Sequence, residues 1–478
     1  MNRALLWILS VLFIALVGMR YNLSILAWVM YVPLLILVRY TKGFKGWLWI
    51  FLLLQVGYFL QVVKIVTDPM PYAMALLFSA PMAVGSFVIL WIYEKIRVRI
   101  SDLLGIFFFA SLMSVSEWLT FYTSELGSWG AMSYTQLDDL AFLQMSSLFG
   151  ITFGSFFIYL SSAFIASLIV TKEKKSLLKP ALIMISIYTL FYTYGVLRLE
   201  NTQNVPTLKV AAIVSDMQIT PEGIPKKSYL QKDTQILIDK TKQAIHDGAK
   251  LIAWNEGATI IFKEDEERFI QQIKTISQES DVDLVIAYIV PIDGIKKFEN
   301  KYLYIQKGEV VDSYFKYHPV PGEGAIKGDK IAKVIHHDKI SISGAICYDF
   351  DFPNLGRLLA QKGVDIAVVP SSDWKGIDHI HAQMAMLRAI EGGYSLLRPV
   401  RGATSYAFDA YGRVRASMGY FEENERIMIA SIPTKQVKTL YRNVGDIFPM
   451  ILLLFLGFVI IFDKKSVLPL AYFSSIGI

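Results

Sequence analysis

ISISGAICYDFDFP, residues 340–353, carries the only cysteine in the 478-residue chain, Cys347. Alternating β-branched residues lead into the thiol, so the stretch reads as a buried strand that ends at Cys347 and then turns. With no second cysteine in the chain, Cys347 has no intramolecular disulfide partner. A thiol at a strand end, followed at once by Tyr348, Asp349 and Asp351, sits where a nucleophile is presented to a pocket, although lone cysteines also serve as inert core residues. The surrounding pattern extends this reading. LKVAAIV (208–214), LIAW (251–254), DLVIAYIV (283–290), YLYIQKGEVVDSYFK (302–316), KISISGAIC (339–347) and DIAVVP (365–370) are short β-rich runs. Amphipathic helical stretches lie near 226–247, 263–279, 353–362 and 378–392. Strands alternating with helices predict a layered α/β sandwich of about 230 residues with its own core.

The rest of the chain has a different character. Hydrophobic residues make up 54% and charged residues 18%, a balance that predicts a polytopic membrane protein carrying one soluble domain. Seven apolar runs, each roughly 16–25 residues long, fill the first two hundred positions near 4–19, 22–39, 46–63, 72–93, 103–122, 146–170 and 180–197. An eighth, 447–462, follows the soluble region and is closed by Asp463, Lys464 and Lys465. The first run lacks a small-residue cleavage site, so a retained helix is expected rather than a removed signal peptide. The expected domains are 1–204 (seven transmembrane helices), 205–436 (the soluble domain) and 437–478 (re-entry, eighth helix and tail).

The formal charge of +6 is not a nucleic-acid signature, because its cations sit in short loops between apolar runs. One alternate set of loops holds Arg3; Arg39, Lys42 and Lys45; Lys95, Arg97 and Arg99; Lys172, Lys174, Lys175 and Lys179; and Lys464 and Lys465. The opposite set holds only Arg20, Lys64 and Arg198 before the soluble region. By the positive-inside rule both termini are cytoplasmic and the soluble domain is extracytoplasmic.

Attack by a thiol needs a base, a positive group for the developing oxyanion and a position that favours thiolate. Three strand ends supply candidates: Glu256 in LIAWNEGA, Lys316 in SYFKYHPVPGEG and Cys347 in ISISGAICYDF. Strand C-termini are where α/β sheets build sites, so the three can converge on one pocket. A carboxylate serves as general base or acid; lysine lowers a thiol pKa and holds an oxyanion. The loop 126–139 (LGSWGAMSYTQLDD) has no basic residue but carries Trp129 and Tyr134, which fit either an interfacial aromatic belt or a lipid-facing site. Trp374 in SSDWKG follows a strand and is read as pocket lining or core. Arg401 is read as a phosphate ligand or a carboxylate partner. Tyr441, Arg442 and Asp446, at the membrane re-entry, are read as substrate contacts or interfacial anchors. Neither His336–His337 nor His379-x-His381 has metal-ligand geometry, the second pair pointing to different faces, so no metal and no cofactor are expected.

WNEGA, FKYHPVPGEG and GAICYDFDFP, in that order, resemble the Glu–Lys–Cys triad of the nitrilase superfamily. The membrane flanks narrow the resemblance to the apolipoprotein N-acyltransferase family. SSDWKG, HAQMAMLRAIEGGYSLLRP, RGATSYAFDAYGRV, the stretch 126–150 and TLYRNVGDIFP fit the same family, so the resemblance spans nearly the whole chain. It implies an α-β-β-α sandwich beside the polytopic α-helical membrane domain, in a bacterial cytoplasmic membrane. It further implies acyl transfer in two steps: from a phospholipid to Cys347 as a thioester, then to the free amine of a diacylglyceryl-cysteine lipoprotein. Glu256 would be the base and Lys316 the oxyanion partner. Glu323 matches a supporting glutamate, and Tyr348 and Asp349 match positions flanking the nucleophile. The chain departs from the family at Asn255 (usually proline), at Asp349 (usually glutamate), in the glycine-rich loop PGEGAIKGDK, and in 215–230, where the family's lid is not recognisable. A monomer is expected. The alternatives are a membrane-tethered amidase or an acyltransferase with another amine acceptor, and a non-catalytic lipoprotein-binding membrane protein.

Overall fold

A computed structural model of the chain describes residues 2–68, 70–171, 174–200, 205–217, 224–292 and 296–462. Lys172, the middle of the 215–230 segment, Asp463–Lys465 and the tail expected to be cytoplasmic lie outside the described residues.

The N-terminal region is helical: α1 (Arg3–Leu16), α2 (Ser24–Ala27), α3 (Val32–Val38), α4 (Gly43–Val62), α5 (Ala73–Arg97), α6 (Asp102–Thr123), α7 (Leu140–Leu143), α8 (Ser146–Phe149), α9 (Ile151–Val170) and α10 (Leu178–Glu200). Five of the expected spans form helices long and apolar enough to cross a membrane: those built on α4, α5, α6, α9 and α10. The first run gives 14 residues in α1, and the second breaks into α2 and α3 around a turn at 28–31. α9 is the central helix, buried along most of its length, whereas α10 presents nearly all its surface outward.

Strand and helix then alternate: β1 (Thr207–Ile213), α11 (Lys227–His246), β2 (Leu251–Trp254), α12 (Lys263–Ser280), β3 (Asp283–Pro291), β4 (Phe298–Gln306), β5 (Glu309–Phe315), β6 (Ile335–His337) and β7 (Ile340–Gly344). After them come α13 (Pro353–Gln361), β8 (Ile366–Val368), β9 (Ser371–Ser372), α14 (Ile380–Gly392), β10 (Ser395–Arg398), β11 (Val400–Arg401), β12 (Ser405–Phe408), β13 (Val414–Met418) and β14 (Ile427–Pro433). α15 (Leu440–Val444) and α16 (Ile447–Phe462) return to the helical region; α16 covers the eighth expected run, 447–462, from end to end.

Two six-stranded sheets, β14-β1-β2-β3-β4-β5 and β13-β12-β10-β8-β7-β6, stack face to face. In each the central strands are parallel (β1, β2, β3; β7, β8, β10) and the rest antiparallel. Strand alternation makes the layers. On β1, Val210 and Ala212 enter the core between the sheets while Ala211 and Ile213 pack under α11 and α12. The first turn of α12 carries Glu264, Asp265 and Glu266, which suit its positive N-terminus, and Pro353 opens α13 with its φ already set. On the far sheet α13 and α14 complete an α-β-β-α sandwich, so the fold class is as expected.

That second helix layer also seats the sandwich on the membrane helices. The core between the sheets continues through Leu355 and Leu359 of α13 and Met384 and Leu387 of α14 to Phe142, Met145 and Phe153. Glu391 of α14 accepts the backbone N–H of Ile151 at 2.7 Å, capping α9 from the other domain.

Candidate active site

Glu256 lies two residues past β2, Lys316 one past β5, and Cys347 three past β7. The strand expected to run to the thiol stops at Gly344, yet the N–H groups of Ala345 and Cys347 still bond the Val368 and Pro370 carbonyls, at 3.3 and 2.9 Å. Cys347 opens a short 3-10 turn with φ of 45°, a left-handed backbone that a side chain adopts only at a cost of about 1–3 kcal/mol. All three side chains are buried: Glu256 is 5%, Lys316 2% and Cys347 4% exposed.

Lys316 Nζ donates to Glu256 Oε1 and to Glu323 Oε2, both at 2.8 Å. Asn300 Nδ2, on β4, donates to the same two glutamates, at 2.7 and 2.8 Å. Burial pushes the ammonium of Lys316 down, but Glu256 and Glu323 outweigh it and raise the group above its ordinary value. Lys316 is therefore a fixed cation. Burial, with the Glu256 and Asp373 carboxylates, pushes the Cys347 thiol well up, while Lys316 and Arg398 pull the other way. A neutral thiol facing a carboxylate suits proton removal during attack better than a standing thiolate.

The thiol donates to the Ser372 carbonyl and to Asp373 Oδ1, each at 3.7 Å. Behind Asp373 stand His381, Asp351 and Arg398, all buried. Cys347, Asp373 and His381 bring one metal-ligand atom each within 4.8 Å of one another. Both imidazole nitrogens and both Asp373 oxygens are already committed to Asp351, Asp373, His381 and Arg398, so the cluster is organised by protons, without a free face for an ion.

Asp349 holds the turn, its carboxylate accepting the Tyr314 hydroxyl at 2.8 Å and the N–H groups of Ile346 and His318 at 3.0 and 2.6 Å. The Tyr348 hydroxyl donates to the Glu125 carbonyl at the end of α6. Trp129 Nε1 donates to Asp351 Oδ2 at 2.7 Å, so the membrane loop reaches the turn after the nucleophile. Tyr134 shares a 2.7 Å hydrogen bond with Ser128. Trp374 Nε1 donates to Ile65 O at 2.7 Å and packs with Val62 and Ile65 at the end of α4, a domain contact. Arg401 donates to Ser372 Oγ at 2.8 Å and to the Met217 carbonyl, and the Glu256 charge acts on it. Tyr441 lies against Gly150, where an added Cβ would come within 2.5 Å of its ring. Arg442 donates to Gln436. Both contacts lie at the chain's re-entry.

The sequence names Asp351 beside the thiol without a role, and it does not single out Asn300, Asp373, His381 and Arg398, which the fold brings to the same site. For His381 a signal existed in His379-x-His381. The two rings do part company, His379 meeting the Tyr406 hydroxyl at 2.7 Å while His381 turns inward.

Two family models match the chain in the order the fold presents them: the apolipoprotein N-acyltransferase N-terminal domain over residues 5–164 and the carbon-nitrogen hydrolase domain over 211–442. The chain belongs to the apolipoprotein N-acyltransferase family, within the nitrilase superfamily. Among curated members, the apolipoprotein N-acyltransferase of Borreliella burgdorferi is 25% identical, covering 73% of this chain and 76% of that protein. Those of Geobacter metallireducens (22% identical, 67% and 67%) and Pasteurella multocida (23% identical, 83% and 82%) match over similar spans. Among solved structures, an amidase from Nesterenkonia sp. aligns at 17% identity and a TM-score of 0.40, covering 49% of this chain and 94% of that one. As an apolipoprotein N-acyltransferase family member with, among the described residues, five helices long and apolar enough to cross a membrane, the chain is a membrane protein.

Proposed function

We propose that this membrane enzyme transfers a fatty acyl group from a phospholipid, through a Cys347 thioester, to the N-terminal amine of diacylglyceryl-cysteine lipoproteins. The observation that carries the reading is a buried glutamate–lysine pair whose charges both act on the Cys347 thiol, in a domain whose second helix layer rests on membrane helices. The names of the curated relatives supply the acceptor class.

In the first step Glu256 takes the Sγ proton as sulfur attacks the donor's ester carbonyl carbon. The Cys347 N–H is already bonded to Pro370 O, which leaves Lys316 Nζ as the charged donor for the oxyanion. The carbon–oxygen bond breaks, Glu256 returns the proton to the departing alkoxide, and a lysophospholipid leaves. In the second step the lipoprotein α-amine attacks the thioester, Glu256 accepts its proton, and the restored thiol leaves an amide behind.

A groove of about 400 Å³ between the end of α6 and the loop after β5 is lined by Tyr122, Glu125, Tyr317 and Tyr348. Two of its lining residues, Tyr317 and Tyr348, are the chain neighbours of Lys316 and Cys347, which makes this groove the candidate approach for a substrate from the end of α6. We assign residues 1–204 and 437–478 to the membrane part and 205–436 to the catalytic domain; the loop charges support an orientation with that domain outside the cytoplasmic membrane and the N-terminus inside. The enzyme acts as a monomer. The test is to incubate the purified protein with a phospholipid and a synthetic diacylglyceryl lipopeptide bearing a free amine. N-acylated lipopeptide, absent with Cys347→Ala, supports the proposal; fatty acid released to water without acylated peptide overturns it in favour of hydrolysis.

A further inference from the structure

Behind Cys347 lies a set of charged side chains that the two-step chemistry does not use. His381 Nδ1 meets Asp373 Oδ1 at 2.7 Å and its Nε2 meets Asp351 Oδ1 at 2.9 Å. Arg398 Nη1 donates to Asp373 Oδ2 at 3.0 Å, and its Nη2 lies 2.9 Å from His381 Nδ1. None of the four side chains is more than 4% exposed. A guanidinium can only donate, and each imidazole nitrogen faces a carboxylate. Protons on both nitrogens serve both carboxylates; the 2.9 Å approach of Arg398 Nη2 to Nδ1 is then no hydrogen bond but two donors side by side, both directed at Asp373, whose two oxygens compensate them. Two cations then balance two carboxylates, as burial without access to water demands. Burial alone would lower His381, but Asp351 and Asp373 outweigh it and raise it to about 9.

The network has two ends. At one, Asp373 Oδ1 accepts the Cys347 thiol. At the other, the membrane loop grips Asp351: Trp129 Nε1 donates to Oδ2, the Ser128 N–H and hydroxyl reach the Asp351 carbonyl at 2.8 and 2.6 Å, and the indole lies 5.6 Å from the imidazole. We propose that His381 is a positioning residue, an imidazolium bridge that couples the seating of the membrane loop at Asp351 to the reactivity of Cys347 through Asp373.

The charge argument gives a direction. Besides Asp373 and Arg398, Glu256 and Lys316 act on the thiol, and the Tyr348 hydroxyl is coupled to it; all three stay in place when the bridge is altered. Without the imidazolium, Asp373 keeps one cation instead of two and turns an uncompensated charge on the sulfur. The thiolate then becomes harder to form. Loss of the Trp129 N–H lets Asp351 rotate and weakens the same bridge more mildly.

The inference rests on Cys347 being the reactive residue, and alkylation reads that residue without either lipid substrate. Because Cys347 is the only cysteine, iodoacetamide uptake by the full-length protein in detergent, followed across pH 6 to 10 by mass, reports its thiolate alone. His381→Gln is expected to slow alkylation about tenfold at pH 8, where the wild-type imidazolium is present, with the gap between the two profiles closing as the wild type loses that proton above about pH 9. Trp129→Phe should slow it about two- to threefold, and the double variant should be no slower than His381→Gln, as residues of one network require. A His381→Gln profile superimposed on wild type overturns the proposal, as do multiplying effects in the double variant. If His381→Gln yields no folded protein, Trp129→Phe decides, and an unshifted profile there overturns the coupling. Shifted profiles with no acyl transfer by wild type would sink the proposed reaction and leave the coupling standing.

Discussion

The buried His381 makes stability depend on pH in a direction that can be worked out in advance. Its pKa rises from the ordinary 6.5 to about 9 in the folded chain, because Asp351 and Asp373 outweigh the cost of burial. At roughly 1.4 kcal/mol per unit, the shift contributes on the order of 3 kcal/mol. The sign follows from proton binding. Between those values the folded state holds a proton that the unfolded chain has released, so stability falls as pH rises. The contribution is fully present below pH 6.5, where both states are protonated, and is gone once pH passes about 9. Asp373 does not blur the window, since Arg398 and His381 hold it below the usual carboxylate range despite its burial. His381→Gln removes the titrating group while keeping a hydrogen-bonding side chain. The assay is thermal unfolding of the full-length protein in one detergent, followed by tryptophan fluorescence from pH 6 to 9.5. For a domain of about 230 residues, ~3 kcal/mol corresponds to a Tm change of roughly 6–12 °C. The gap between wild type and His381→Gln should be widest near pH 6 and shrink by that amount toward pH 9. A gap that stays constant, or widens with pH, refutes the doubly paired imidazolium.

Further predictions concern the triad and the loop. Lys316→Met removes the cation shared by Glu256 and Glu323 and the charged oxyanion donor, so acyl-Cys347 should form about 10²–10³ times more slowly in a quenched mass time course. Asn300→Leu deletes a donor that serves both glutamates; two charge-assisted bonds of roughly 1.5–3 kcal/mol each are at stake, and a loss of about 10–100-fold in the same assay is expected. Gly127 has φ of 56°, and a Cβ there would stand 2.8 Å from Asp351 O. Gly127→Ala should therefore cost about 1–3 kcal/mol and slow Cys347 alkylation together; a variant unchanged in Tm and alkylation would show that the loop is not tightly seated.

What the sequence made legible follows from how far each signal reaches. The strands at 208–214, 251–254 and 283–290 and the helices near 226–247, 263–279 and 378–392 were visible because periodicity is local. Glu256, Lys316 and Cys347 announced themselves as strand ends beside turn residues. Asn300 did not, because a polar residue inside a strand resembles any outward-facing position until the fold turns it onto Glu256. His381 was weighed only against its neighbour His379, while its partners Asp351 and Asp373 lie 30 and 8 residues away on other elements. Apolar length alone also could not show that the run 22–39 breaks at residues 28–31, since both halves are equally hydrophobic. Trp374, Tyr441 and Arg442 make contacts between the domains and along the re-entry. An aromatic or arginine at a membrane boundary carries the same sequence signal whether it grips a substrate or a neighbouring helix.

The central claim is that Cys347 carries the acyl group. Its direct test is mass analysis of the full-length protein, wild type beside Cys347→Ala, after incubation with a phospholipid of defined chains and no acceptor. The account predicts a mass increase of one acyl chain on the Cys347 peptide, labile to hydroxylamine at neutral pH, absent in the variant, and discharged when a diacylglyceryl lipopeptide is added. No adduct on Cys347 with any phospholipid offered, or an adduct that persists in Cys347→Ala, would contradict it.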